Sequence, residues 1–181
     1  SRLLAYSVFA GVDRLQSEGI TGVVSFHPPH PSLDAALNRS GIDRFTQDGR
    51  SYWNFHSWLG YSPDWTTPLE DFVAQHGARN VVVHCQHGVD RTGAASAYLL
   101  AVRDGYRISD ALYAVVDRSA SSVEGVGQVL AEFGLDDRRT VDDPSVSTHS
   151  YYGSGMHAHT DGFRDYVRFV VQKALERGAR L

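Results

Sequence analysis

Apolar positions fall along this chain in short clusters whose spacing changes between strand-like and helix-like. Val12 and Leu15 ahead of Gly19 read as a short helix and its stop, and 20-ITGVVSF-26 then reads as a buried strand. The prolines of 27-HPPHP-31 mark a loop, followed by a short helix near 33-LDAALN-38 with Ser32 as its N-cap. The aromatic run 52-YWNFHSW-58 reads as a further strand, and 60-GYSPDWTTP-68 as a loop. Within that loop Thr67-Pro68-Leu69-Glu70 has the form of a capping box with proline at the first helical position, which predicts a helix from Pro68 to His76 ended by Gly77.

The continuous apolar run 80-NVVVH-84 has the signature of a central strand covered on both faces. Helical patterns follow over Thr92 to Val102, broken by Asp104-Gly105, and over 110-DALYAVV-116 after Ser109. The polar stretch 140–162 reads as a long surface loop. A final amphipathic helix places Phe163, Tyr166, Val167, Val170, Val171, Ala174 and Leu175 on one face, with Gly178 as its stop. Strands separated by helices predict an α/β sheet with helices on both faces.

Composition limits this picture without redirecting it. The 181 residues, 42% hydrophobic and 21% charged, suit one globular domain spanning 1–181. A net charge of -4 offers no broad basic field for nucleic acid or an anionic membrane. No apolar run approaches the roughly 18 residues of a membrane span, and the start at Ser1 lacks the order of a signal peptide. A single cysteine permits no internal disulfide, which fits a reducing, cytoplasmic setting.

That cysteine stands in 83-VHCQHGVDRTG-93, between a strand that ends and a helix that begins. Such a junction is an anion site, because unpaired N–H groups converge there and the helix dipole adds partial positive charge. Backbone N–H groups from Gln86, His87, Gly88, Val89, Asp90 and Arg91 would surround a tetrahedral oxyanion, with Gly88 permitting the turn. Arg91 can hold two phosphoryl oxygens bidentately. The same field favours the Cys85 thiolate, a nucleophile aimed at a bound phosphate ester. Asp90 reads as a solvated or loop-bracing carboxylate, and His87 as a residue whose N–H matters more than its ring.

The stretch resembles the HC-x5-R-[ST] signature of the cysteine-dependent protein tyrosine and dual-specificity phosphatase superfamily, here His84, Cys85, Arg91 and Thr92 with Gly93 trailing. Its wording is most similar to bacterial dual-specificity-like phosphatases and to RNA 5'-triphosphatases of capping systems. The resemblance runs from about Tyr52 to Arg103, extends back to Val12, and fades beyond Ser119. It implies a single-domain protein tyrosine phosphatase-like fold, with a central, mostly parallel sheet. It also implies a two-step reaction through a cysteinyl-phosphate, in which Thr92 hydrogen-bonds the sulfur and His84 orders the loop and tunes the thiol. No metal or organic cofactor is expected, and the expected partner is a phosphorylated protein, with phosphotyrosine foremost.

Family members supply the leaving group's proton from an aspartate on an upstream loop, and Asp64 in 62-SPDWTTP-68 is the best match. A loop position suits an acid that must close over substrate. Asp71, Asp43 and Asp48 are weaker candidates. His149, His157 and His159 alternate in a Gly/Ser-rich loop without the fixed third or fourth ligand that a metal site needs. Tyr61 and Trp65 flank the acid segment. Arg118 and the Arg138-Arg139 pair read as surface charge. Three other functions remain open: an RNA 5'-triphosphatase, disfavoured by the lack of a basic surface; a phosphoinositide phosphatase, which would usually add lysines inside the loop; and a phosphate-binding pseudophosphatase, which would have no use for the thiol.

Overall fold

The computed structural model describes residues 11–26, 31–46, 65–85, 90–117, 119–146 and 161–181. The chain divides into two compact units, Ser1–Gly88 and Val89–Leu181. Among the described residues the first unit contains α1 (Val12–Ser17), β1 (Gly22–Ser25), α2 (Pro31–Arg39), β2 (Asp43–Thr46), α3 (Thr66–His76), a 3-10 turn (Ala78–Asn80) and β3 (Val81–His84). The second contains α4 (Asp90–Val102), α5 (Ile108–Tyr113), α6 (Ala120–Glu132) and α7 (Asp161–Glu176).

The described sheet has three parallel strands in the order β2-β1-β3. Its registers pair Gly22 with Asp43 and Val81, and Ser25 with Thr46 and His84. All four residues of β1 and all four of β3 are buried. The expected burial of Val81–His84 is therefore found, but among the described residues β1 is the middle strand. Side chains alternate between the faces, and each face is covered by helices. Val23 and Val82 pack with Leu15, Leu33 and Leu37, which places α1 and α2 on one side. On the other side a Cβ added to Gly22 would meet the Phe72 ring at 2.8 Å, and Phe45 lies 5.9 Å from Phe72 between ring centroids. Glycine at position 22 is what lets α3 approach so closely.

Local signals and structure disagree at three places in this unit, the first being α2, which begins at Pro31 so that Ser32 lies inside the helix and is not its N-cap. Helix α3 begins at Thr66, so Thr67 is already helical and is not the cap, and Trp65 at the cap position makes no side-chain cap hydrogen bond. Trp65, 1% exposed, occupies the cap position and meets the Phe26 ring edge-on at 5.5 Å. Strand β2 was not expected from Asp43-Arg44-Phe45-Thr46, and the aromatic run 52–58 read as a strand lies outside the described residues. The end of α3 follows expectation: Gly77, at φ 78°, donates its N–H to the Val73 carbonyl at 2.9 Å.

In the second unit α4 is rich in small residues, with Gly93, Ala94, Ala95, Ala97 and Ala101 buried. It packs against α5 and α7, and α6 packs against both of these as well. Tyr166, Val167, Val170, Val171 and Ala174 form the buried stripe of α7, with Leu175 only half-buried. Helix α6, unassigned from the sequence, is capped by Ser119, whose Oγ accepts from the Ser122 N–H at 3.3 Å. Residues 140–146 carry no helix or strand, and the rest of the expected 140–162 loop up to 160 lies outside the described residues. No described helix is long and apolar enough to cross a membrane. The protein is thus mixed α/β with a small parallel sheet.

Candidate active site

Parallel strands put all their carboxyl ends at one rim, and β3 delivers His84 and Cys85 to it. Both are buried, and Cys85 is a free thiol. The corner is fixed by backbone bonding, since Phe26 donates its N–H to the His84 carbonyl at 2.8 Å, one step beyond the β1–β3 ladder. His84 Nδ1 lies 3.2 Å from the Cys85 carbonyl oxygen. A carbonyl can only accept, so this contact holds the Nδ1–H form of the ring.

In the second unit, five residues after Cys85 in the sequence, α4 opens with Asp90, Arg91 and Thr92 in its first turn. Asp90 suits the positive end of the helix dipole. Arg91 is half-buried, whereas Thr92 is 2% exposed and its Oγ1 has no hydrogen-bond partner among the described residues. A buried hydroxyl without a partner costs about 1–3 kcal/mol, so its retention calls for a reason beyond packing. Gln86, His87, Gly88 and Val89 lie outside the described residues, as do Asp64, Tyr61, Asp48, Arg118, His149, His157 and His159. No group of three or more metal-binding side chains occurs among the described residues.

Of the acid candidates, two can be placed. Asp43 begins β2 and registers with Gly22, three residues before the rim, a depth of roughly 10 Å at the usual rise per residue. Its Oδ2 instead lies 3.4 Å from His76 Nε2, while His76 Nδ1 lies 3.0 Å from Thr21 Oγ1. Asp43 is therefore tied up at the opposite edge of the sheet. Asp71 is exposed on α3, as its helical position predicted. Trp65, the neighbour of Asp64, is anchored against Phe26, the residue bonded to the His84 carbonyl.

Two functional-looking residues escaped the sequence reading. Ser25 ends β1 fully buried, and Arg44, with its side chain 9% exposed, donates from Nη2 to Ser25 Oγ at 3.0 Å. Arg44 also pairs with Asp34 of α2. Burial holds its guanidinium below the ordinary arginine range. The only sequence signal was negative: Asp43-Arg44 is too polar for a strand unless its charges have partners.

Arg138-Arg139 needs correction at its second member. Arg139, with its side chain 11% exposed, forms ion pairs with Asp137 at 2.9 Å and Asp110 at 2.5 Å. Its Cζ sits 4.6 Å from the centroid of the Tyr113 ring. It braces the second unit and is no surface charge. Compared with known proteins, the chain matches no family model and no curated protein.

Proposed function

We propose that this chain is a cysteine-dependent phosphatase that hydrolyses phosphate monoesters, phosphotyrosine above all and phosphoserine or phosphothreonine in addition, within one protein tyrosine phosphatase-like domain spanning 1–181. One observation carries the reading. A buried parallel strand ends at His84, the only cysteine follows it, and a helix opens five residues later with Arg91 and a buried Thr92 hydroxyl that has no hydrogen-bond partner among the described residues. That is the order of parts a phosphate cradle with a sulfur nucleophile requires.

In the reaction so read, the Cys85 thiolate forms an S–P bond as the P–O bond of the ester breaks. Asp64 gives its proton to the departing oxygen. Water then attacks phosphorus, the S–P bond breaks, Asp64 takes the water's proton, and inorganic phosphate leaves with the thiolate restored. Arg91 clamps the oxygens that gain charge, while Thr92 donates to the sulfur and makes it a better leaving group. The anchoring of Trp65 beside the strand that leads to Cys85 supports Asp64 in its role. Loop N–H groups from Gln86 to Arg91 complete the cradle. The chemistry requires neither metal nor organic cofactor, and a thiol nucleophile suits a reducing, cytoplasmic setting.

The test is a turnover panel of phosphotyrosine peptide, phosphothreonine peptide, triphosphate-ended RNA and inositol phosphates, run on wild type and Cys85→Ser. Hydrolysis of the phosphotyrosine peptide, lost by at least about 10³-fold in Cys85→Ser, is the expected result. Near wild-type activity in that variant rules out the mechanism. Preference for RNA or inositol phosphates would replace the substrate class, and binding without turnover in wild type would make the chain a phosphate reader.

A further inference from the structure

Three segments of the first unit meet at the amino ends of the strands, away from the rim that carries Cys85. Thr21 precedes β1, Asp43 opens β2 and His76 closes α3. The backbone fixes their spacing, since Thr21 donates its N–H to the Asn80 carbonyl and Asp43 its N–H to the Thr21 carbonyl, each at 2.9 Å. His76 is held as firmly. Its carbonyl accepts from Asn80 Nδ2 at 3.0 Å, its ring centroid lies 4.4 Å from that of Phe72, and a Cβ on Gly22 would stand 3.0 Å from its Cγ. The His76 side chain is 8% exposed, whereas Thr21 and Asp43 are open to solvent.

Inside this frame the two ring nitrogens meet different surroundings. Nδ1 lies 3.0 Å from Thr21 Oγ1, within hydrogen-bond range. Nε2 is buried without a hydrogen-bond partner among the described residues, and the Asp43 Oδ2 that it faces is 3.4 Å away. A charge-assisted hydrogen bond would draw that pair in to about 2.7–2.9 Å. The gap fits a different bridge, because two ligands each about 2.0–2.1 Å from a tetrahedral zinc stand about 3.3–3.4 Å from one another. When Nδ1–H donates to Thr21, the Nε2 lone pair faces the carboxylate, and two acceptors opposed in this way call for a cation between them. A metal-bound imidazole gives its other N–H to an oxygen partner in the same manner.

We propose that His76 Nε2 and Asp43 Oδ2 hold a zinc-type divalent cation, with Thr21 as the positioning residue that fixes the imidazole and water filling the remaining coordination positions on the exposed Asp43 side. With two protein ligands the site is open and exchangeable, and its occupancy pins the end of α3 to the sheet. Nothing in it depends on the role of Cys85.

Calorimetric titration of zinc chloride into the metal-free, untagged full chain tests this. Cys85 and the other histidines offer zinc competing positions, so the readout is the difference between variants. His76→Gln and Asp43→Ala are each expected to remove one binding site from the wild-type count, and the rise in melting temperature that zinc gives wild type should shrink in both. Thr21→Val should weaken that site about tenfold, and Thr21→Ser, which keeps the hydroxyl, should restore it. If His76→Gln fails to fold, Asp43→Ala decides alone, since the Asp43 side chain is 64% exposed. A site count in folded Asp43→Ala equal to that of wild type overturns the proposal, as does zinc binding that disappears entirely in Cys85→Ser. An unchanged affinity in Thr21→Val overturns the positioning role.

Discussion

Each unit buries an arginine, but the β2 edge of the sheet and the 135–146 segment treat theirs in opposite ways. Around Arg139 two carboxylates, a tyrosine face and the Ser145 hydroxyl at 2.8 Å converge, and the hydrogen bonds and charges of Asp137 and then Asp110 hold its guanidinium above the ordinary arginine range. Around Arg44 the partners are Asp34 and a neutral hydroxyl, and burial holds its guanidinium below that range. A charge whose partners outweigh its burial is bracing for the fold. A charge whose burial outweighs its partners is being kept at a cost.

Three experiments press on this contrast. The largest effect is expected from Arg139→Met, which leaves Asp137 and Asp110 without their shared cation and should destabilise the protein by about 2–3 kcal/mol in urea unfolding. Arg44→Met should cost only about 1 kcal/mol, because an apolar side chain suits that face and Asp34, partly solvent-exposed, can hydrate. Equal losses in the two variants would break the contrast. The smallest effect is a pH dependence. The Arg139 guanidinium beside Asp137 holds its carboxyl below the usual aspartate value of 3.8, so the stability it contributes is present above that value and is lost as pH falls through the lower folded value. The stability gap between wild type and Arg139→Met should therefore narrow between about pH 4 and pH 2, and a constant gap would show that the carboxylate is not what Arg139 holds.

The sequence made legible the elements whose pattern or stop signals are local: β1, β3, α1, α2, α4, α5, the end of α3 and the stripe of α7. What it did not show depends on partners far along the chain. Strand β2 reads only as part of a polar stretch because nothing near Asp43 and Arg44 announces His76, Asp34 or Ser25. The cap of α3 was misplaced because Trp65 gains more from burial against Phe26 than Thr67 gains from a cap. Helix α6 was missed because Gly125 and Gly127 weaken its pattern, although a Cβ at Gly127 would meet the Tyr113 hydroxyl at 3.3 Å, which is why glycine is there. The candidate site divides in the same manner. Cys85, Arg91 and Thr92 are legible from their spacing, whereas Ser25 stands beside His84 only through strand register.

The three strands run parallel, so Ser25, Thr46 and His84 stand level at a single rim, from which Phe26 and Cys85 leave the sheet. What a chain does at such a rim can be rewritten segment by segment while the ladder beneath keeps its alignment. The register that fixes Ser25 beside His84 is in this sense a chassis. Exchanging the stretch after β2 or the four residues between Cys85 and α4 would leave the sulfur where the sheet delivers it.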